Sequence, residues 1–209
     1  MVRKDIKDFI KTIPEYVTIV AATKYIDSNE MIVLYNNGIK NFGENRVDSF
    51  LTKYEQLKDY KDITWHFIGH LQRNKAKLII NKIDFLHSLD SLELAYIISK
   101  NRTTPLKVFV EVSINLEESK NGVPYYEAKE FVSQLRQISN IEICGFMMMA
   151  VKGSLDTQSQ FKKLKDLKES IEKELNIKIP YLSMGMSDDY LEAIKEGATH
   201  IRLGRKLFQ

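Results

Sequence analysis

A lysine ends a strand-like run near the start of the chain. The segment Val17–Ala22 is almost entirely apolar, and Lys24 follows it just before a helix start at Ser28. Lysine is depleted in strands and is rarely buried without a partner, so a solvated surface lysine is one interpretation. The other interpretation is an amine nucleophile at the mouth of a site, partly shielded from water. The choice depends on which other residues reach the same place in the fold.

A second chemical signal lies in the turn Ser183–Ser187 and the strand that follows it. The turn runs into a helical pattern, which predicts Ser187 as a helix N-cap, and free N–H groups at a helix start bind phosphate. Arg202 and Gly204 would add a cation and a glycine that a ligand can approach closely. Each residue alone also has an ordinary structural explanation. Asp188 opposes an anion here unless its carboxylate points away.

Short apolar runs alternate with helical patterns along all 209 residues. The predicted strands are 16–22, 39–43, 63–69, 83–88, 106–113, 141–147, 180–184 and 199–203, and the predicted helices are 28–37, 45–58, 73–81, 91–100, 125–138, 157–175 and 188–196. This alternation favours an α/β fold, a single-domain (β/α)₈ TIM barrel over residues 1–209. A doubly wound sheet is the alternative, but it would be unusually wide. In a barrel, functional residues gather at the C-terminal ends of the strands, where Lys24, Ser187 and Gly204 lie.

Composition restricts the classes of function. The chain has 31 Lys and Arg against 28 Asp and Glu, a net charge of +3, and no basic tract of the kind that binds nucleic acid. No apolar run approaches the ~18 residues of a membrane span, and the charged N-terminus does not resemble a signal peptide. The single Cys144 excludes an internal disulfide and suggests packing. We therefore expect a cytoplasmic monomer that binds no nucleic acid, membrane or metal.

Several blocks of residues occur in a characteristic order. They are Ala21-Ala-Thr-Lys24, Phe42-Gly-Glu-Asn45-Arg46, Trp65-His-Phe-Ile-Gly-His-Leu-Gln-Arg-Asn74-Lys75, His87-Ser-Leu-Asp90-Ser91, Leu182-Ser-Met-Gly-Met-Ser187-Asp188 and Ile201-Arg-Leu-Gly204. Together they resemble the pyridoxal phosphate homeostasis protein family, the small single-domain relatives of the alanine racemase barrel. The resemblance covers nearly the whole chain, and the blocks at 65–75 and 182–204 are highly specific.

The resemblance implies an alanine racemase N-terminal-domain-like barrel that binds pyridoxal 5′-phosphate and serves its intracellular supply, with apo-enzymes as recipients. It implies that Lys24 holds the cofactor as a Schiff base, that Asn45 lies near the ring, and that Arg202 faces the pyridine nitrogen. The phosphate-binding turns would be formed by Ser187, Gly204 and Arg205.

Two positions depart from the family pattern. Arg205 is large and cationic where a small residue is usual, and Gln209 stands where the chain usually ends in glycine. Both departures concern the region next to the predicted phosphate turns.

Two enzymatic alternatives stay open. In a racemase-like enzyme the ring would act as an electron sink, which an arginine at the ring nitrogen weakens. Racemases take their second base from a C-terminal domain, and because this sequence stops at Gln209 we expect little or no turnover. An aldolase using Lys24 without cofactor would need acid and base groups such as His66, His70 or His87, each of which has a structural explanation.

Overall fold

The computed structural model describes residues 1–114, 121–151 and 156–208, and parallel strands form a closed barrel in this part of the chain. The strands are β1 (Thr18–Ala22), β2 (Asn41–Glu44), β3 (Thr64–Phe67), β4 (Phe85–Leu89), β5 (Leu106–Ser113), β6 (Val123–Pro124), β7 (Ile141–Met147), β8 (Tyr181–Ser183) and β9 (His200–Leu203). β1 to β5 pair in sequence, β5 continues to β7, and β8 and β9 return to β1. The two-residue β6 pairs with the end of β5.

Helices connect the strands on the outside of the barrel. They are α1 (Ile6–Lys11), α2 (Ser28–Asn36), α3 (Val47–Gln56), α4 (Arg73–Ile79), α5 (Leu92–Asn101), α6 (Ala128–Leu135), α7 (Thr157–Leu175) and α8 (Tyr190–Lys195), with 3₁₀ turns at Tyr125–Glu127 and Arg205–Leu207. The long helix α7 shows most clearly how an amphipathic helix packs against the barrel. Its buried face carries Phe161, Leu164 and Ile171 at helical spacing, while lysine and glutamate fill the exposed face.

The predicted barrel is confirmed, because β4 also pairs with β5 and so closes the sheet that a doubly wound fold would leave open. Each predicted strand contains an observed strand or overlaps one. The details differ where local signals are weak. The residue patterns did not predict helix α1 or strand β6, since six and two residues carry too little periodicity. The predicted helix 125–138 opens as a 3₁₀ turn and is α-helical only over Ala128–Leu135.

The strand register brings four strand ends together at one edge of the barrel. Ala22 at the end of β1 pairs with Gly43 of β2, and Ala21 pairs with Leu203 of β9. Ser183 at the end of β8 pairs with His200 of β9. The C-terminal ends of β2, β1, β9 and β8 are therefore neighbours in that order. In the described part of the chain, no helix is long and apolar enough to cross a membrane.

Candidate functional site

Lys24 follows the last residues of β1 and lies on the surface. Its side chain is exposed, and its Nζ lies 4.8 Å from the centroid of the Tyr25 ring. The prediction of partial shielding is therefore wrong. β1 ends at Ala22, and Lys24 lies in the turn between β1 and α2. The amine is directly accessible to a molecule that arrives from solvent.

Ser187 and Gly204 meet across the two adjacent loops after β8 and β9. The Ser187 hydroxyl oxygen accepts hydrogen bonds from the backbone N–H groups of Gly204 at 3.2 Å and Lys206 at 3.3 Å. The prediction that Ser187 caps a helix is wrong, because α8 begins at Tyr190 with Asp189 as its N-cap residue. Its hydroxyl instead gathers two backbone donors at one point. Two N–H groups converging on one oxygen resemble the environment that phosphate oxygens take up in proteins.

The acidic residues beside this turn are already engaged. Asp188 forms an ion pair with Arg205, and both side chains are exposed. The Asp189 carboxylate accepts the Met186 N–H at 2.6 Å, within the same turn. The two carboxylates therefore have partners of their own, which removes part of the objection to an anion beside Ser187. The predicted role of Arg205 at the phosphate would require its side chain to leave Asp188.

Gly185 shapes the turn, a role that the sequence pattern did not predict. Its φ of +91° lies in the left-handed region, and a Cβ there would lie 2.6 Å from the Cβ of Ala193. Its carbonyl oxygen accepts the Arg202 N–H at 2.9 Å. The absence of a side chain thus lets the turn pack against α8 while it bonds to β9. A small-residue turn with glycine at its centre was the available signal for this role.

Arg202 is buried, with 5% of its surface exposed, and its guanidinium is fixed by two bonds. Nη1 donates to the Ser183 hydroxyl at 2.6 Å, and Nη2 donates to the Met148 carbonyl at 2.8 Å. Burial lowers the pKa of Arg202 to about 10, although the nearby Glu111 and Asp189 oppose this shift. The group therefore stays a cation and a hydrogen-bond donor at neutral pH.

Asn45 presents a free polar atom at the end of β2. Among the described residues its Oδ1 has no hydrogen-bond partner, although the atom is buried. Gly69 packs directly on this segment, since a Cβ on Gly69 would lie 2.4 Å from the Asn45 carbonyl oxygen. A buried acceptor without a partner costs free energy, so the position favours a ligand that donates or bridges to it.

A buried ion pair beneath Lys24 was missed by the sequence analysis. Lys53 Nζ lies 2.5 Å from Glu44 Oε1 and donates to the Thr23 carbonyl at 2.6 Å. The Thr23 hydroxyl donates to the same carboxylate oxygen at 2.5 Å. This cluster holds the residue that precedes Lys24. Its sequence signal was the spacing of Val47, Phe50 and Lys53, which places the lysine on the buried face of α3.

The three histidines considered as acid or base groups divide into two kinds. His70 is exposed, and its Nδ1 lies 3.8 Å from Asp90 Oδ2. His66 and His87 are fully buried inside the barrel and bond to each other at 2.9 Å. Within the described residues, no group of His, Cys, Asp and Glu side chains could hold a metal ion. Cys144 is buried and donates to the Val108 carbonyl, as expected of a packing residue.

Comparison with known proteins shows which family the chain resembles. The family described as "Alanine racemase, N-terminal domain" matches residues 8–209. The pyridoxal phosphate homeostasis protein of Aquifex aeolicus is 40% identical over 195 residues, covering 91% of this chain and 85% of the relative. That of Synechocystis sp. is 37% identical over 206 residues, covering 96% and 94%.

Solved structures agree with the sequence relatives. PipY of Synechococcus elongatus PCC7942, solved with PLP bound, superposes with a TM-score of 0.90 at 30% identity, covering 98% of this chain and all of PipY. Alanine racemase of Clostridium difficile 630 has a TM-score of 0.80 at 18% identity, covering 99% of this chain and 60% of that chain, which shows the fold alone. Fold and strand-end site therefore define a barrel of the alanine racemase N-terminal domain class. Within that class, the chain belongs to the pyridoxal phosphate homeostasis protein family.

Proposed function

We propose that this chain binds pyridoxal 5′-phosphate on Lys24 and serves the supply of that cofactor, with little or no catalytic turnover. The observation that supports the proposal is the pairing of β1 with β2 and β9, because Lys24 and Asn45 follow the ends of β1 and β2 at the edge where the amides of Gly204 and Lys206 converge on Ser187. A nucleophilic amine and an anion-binding turn at one edge suit an aldehyde that carries a phosphate tail.

The residues present fit the cofactor's phosphate. The Gly204 and Lys206 N–H groups now donate to the Ser187 hydroxyl, and they would donate to phosphate oxygens with that hydroxyl as an additional donor. Gly204 leaves room for this approach, because a Cβ built there has no heavy atom nearer than 3.8 Å, the Ala22 carbonyl oxygen. Arg205 would add a cation at the rim once it is released from Asp188.

Lys24 would hold the cofactor covalently. Its neutral amine attacks the aldehyde carbon, a C=N bond forms, and the aldehyde oxygen leaves as water after proton transfer. The bound cofactor supplies an electrophilic carbon and a conjugated ring that can accept electrons. Lys24 is exposed, and the Thr23 carbonyl before it is tied to Lys53, so the backbone is fixed while the amine is free to move. A supply protein must exchange its bound cofactor with solvent, and the exposure of Lys24 is compatible with that exchange.

Arg202 supports the proposal of low turnover. Its guanidinium is a buried cation held by Ser183 and Met148, and it can only donate hydrogen bonds. If it faces the ring nitrogen, it disfavours a second positive charge there, so the ring accepts electrons weakly. Arg202 would thereby protect the bound cofactor from amino-acid chemistry rather than promote it.

A titration of the purified apo-protein with pyridoxal 5′-phosphate tests the proposal. The wild type should develop visible absorbance on stoichiometric binding, and Lys24→Ala should lose it while it keeps its fold. Lys82→Ala is a matched control, because Lys82 is also exposed and lies 5.8 Å from a tyrosine ring, that of Tyr54. No absorbance change in the wild type would refute cofactor binding and revive an aldolase that works without cofactor.

Turnover is tested on the same loaded protein. Incubation with L-alanine and other amino acids in D₂O should give only trace deuterium exchange at the α-carbon. Exchange at enzyme-like rates would contradict the supply function and favour the racemase-like alternative. Transfer of the cofactor to an added apo-enzyme, followed by the recovery of that enzyme's activity, would measure supply directly.

A further inference from the structure

A continuous line of hydrogen bonds crosses the barrel interior and ends on Arg202. Arg202 Nη1 donates to Ser183 Oγ at 2.6 Å, and Ser183 Oγ lies 2.8 Å from His87 Nδ1. His87 Nε2 lies 2.9 Å from His66 Nδ1, and His66 Nε2 lies 3.0 Å from Asn41 Oδ1. We call these five residues the polar relay. It joins the start of β2 to the end of β9.

The two ends of the polar relay fix the direction of every bond in it. Asn41 Oδ1 can only accept, so His66 carries its proton on Nε2 and offers the Nδ1 lone pair to His87. His87 then carries its proton on Nε2 as well, and its Nδ1 accepts from the Ser183 hydroxyl. That hydroxyl oxygen is left to accept from Arg202, which has only donors. Each group therefore donates one bond in the same direction, from Arg202 towards Asn41.

This arrangement requires both histidines to be neutral, and their burial provides for that. Desolvation lowers the pKa of His66 and of His87 well below the usual value, and neighbouring charges such as Arg202 act in the same direction on His87. Both rings are also clamped by stacking: His66 lies 4.7 Å from the Phe85 ring and His87 lies 4.2 Å from the Phe109 ring. The polar relay is thus rigid as well as directional.

We propose that Ser183, His87, His66 and Asn41 are positioning residues that hold the Arg202 guanidinium in one orientation at the cofactor ring. The proposal rests on the proposed function, in which Arg202 faces the ring nitrogen. Ser183 acts directly on Arg202, and the other three act through it, because they force the Ser183 hydrogen away from the guanidinium. Asn41, although remote from the site, determines the tautomer of both histidines.

The tautomers can be measured without cofactor. Long-range ¹⁵N–¹H spectra of the ¹⁵N-histidine-labelled apo-protein at neutral pH should show His66 and His87 as neutral rings protonated on Nε2. Asn41→Leu removes the terminal acceptor and should change the His66 pattern, whereas Asn41→Asp keeps an acceptor and should restore it. Protonation of either ring on Nδ1 in the wild type would overturn the proposed direction.

The effect of the polar relay on Arg202 is measured by comparing the dissociation constants of two cofactors in relay variants. Ser183→Ala should raise the dissociation constant of pyridoxal 5′-phosphate at least about fivefold, because one oriented bond to a charged group is lost. The same variant should change the affinity for 1-deazapyridoxal 5′-phosphate less than about twofold, since that analogue has no ring nitrogen to address. Asn41→Leu, at the far end of the relay, should show the same selectivity with a smaller loss.

A matched control variant separates a specific effect of the polar relay from a general effect on the barrel interior. The outcomes also distinguish failure of the relay from failure of the proposed function. His200→Phe alters another buried ring of the barrel interior, whose Nδ1 lies 3.0 Å from Thr199 Oγ1, and among the described residues it has no hydrogen bond to the relay, so it should not discriminate between the two cofactors. Equal losses for both cofactors in Ser183→Ala, or no loss for either, would overturn the relay while cofactor binding by the wild type stands. Failure of the wild type to bind pyridoxal 5′-phosphate would instead defeat the proposed function itself.

Discussion

Replacing Lys53 by methionine removes the cation from the buried cluster beneath Lys24. The side chains of Lys53 and Glu44 are 9% and 0% exposed, so solvent cannot replace the lost partner. Methionine has nearly the same length and keeps the apolar contacts of the lysine stem. The substitution therefore isolates the charge and its two hydrogen bonds, to Glu44 and to the Thr23 carbonyl.

The size of the expected destabilisation follows from the Glu44 carboxylate that remains without its cation. Lys53→Met leaves a carboxylate with one recorded donor, the Thr23 hydroxyl, in a place where Glu44 Oε2 already lacks a partner among the described residues. Removing one member of a buried pair costs about 3 to 5 kcal/mol, mostly because the remaining charge is uncompensated. Lys53→Met with Glu44→Gln removes that charge as well, so the double variant should recover most of the loss, with a coupling energy above about 1 kcal/mol.

Urea unfolding of the apo-protein, followed by circular dichroism, measures these differences. Lys162→Met is the matched control, because Lys162 forms an ion pair with Asp166 on the exposed face of α7. Surface pairs contribute little, so this variant should unfold with the wild type. A loss below about 1 kcal/mol for Lys53→Met, or strict additivity in the double variant, would refute the assignment of Lys53 as the buried partner of Glu44.

Three further predictions concern the rim of the barrel. Burial and the nearby Asp90 raise the pKa of Glu111 to about 7. The unfolded chain loses this proton at a lower pH than the folded chain, so the free energy of unfolding of the wild type falls as pH rises to about 7. Urea unfolding should therefore show Glu111→Gln gaining about 2 kcal/mol on the wild type between pH 5 and pH 8, and a pH-independent difference would count against this. Gly204→Val should fold normally yet weaken binding of pyridoxal 5′-phosphate far more than binding of pyridoxal in parallel titrations; equal losses would place the phosphate elsewhere. Gly69→Ala should cost about 2 kcal/mol in urea unfolding, because its Cβ would lie 2.4 Å from the Asn45 carbonyl oxygen, and a neutral result would contradict that packing.

Sequence patterns predicted the barrel because alternating strands and helices have few ways to close. Eight apolar runs with helices between them left two candidates, a closed barrel and an open doubly wound sheet. The barrel was favoured because an open sheet of eight strands would be unusually wide. The same logic predicted that Lys24, Asn45 and Gly204 would share an edge, since strand ends of a parallel barrel meet at one face. These are properties of chain order and periodicity, which a sequence carries directly.

Contacts between side chains of different elements were beyond such patterns. The Ser187 hydroxyl bonds to amides 17 and 19 residues away, which depends on how the loops after β8 and β9 fold, so local spacing wrongly suggested a helix cap. The exposure of Lys24 depends on where the chain turns after Ala22. The polar relay needs five residues on five strands in one register, and neither His66 nor His87 is marked by its local sequence as part of it.

Borohydride trapping tests the central claim, which is covalent attachment of the cofactor to Lys24. The protein is loaded with pyridoxal 5′-phosphate, reduced with sodium borohydride so that the C=N bond becomes a stable C–N bond, digested and mapped by mass spectrometry. The added phosphopyridoxyl mass should lie on the peptide that contains Lys24, at a stoichiometry that matches the loss of visible absorbance. Modification only on other lysines, with Lys24 unmodified, would contradict the account.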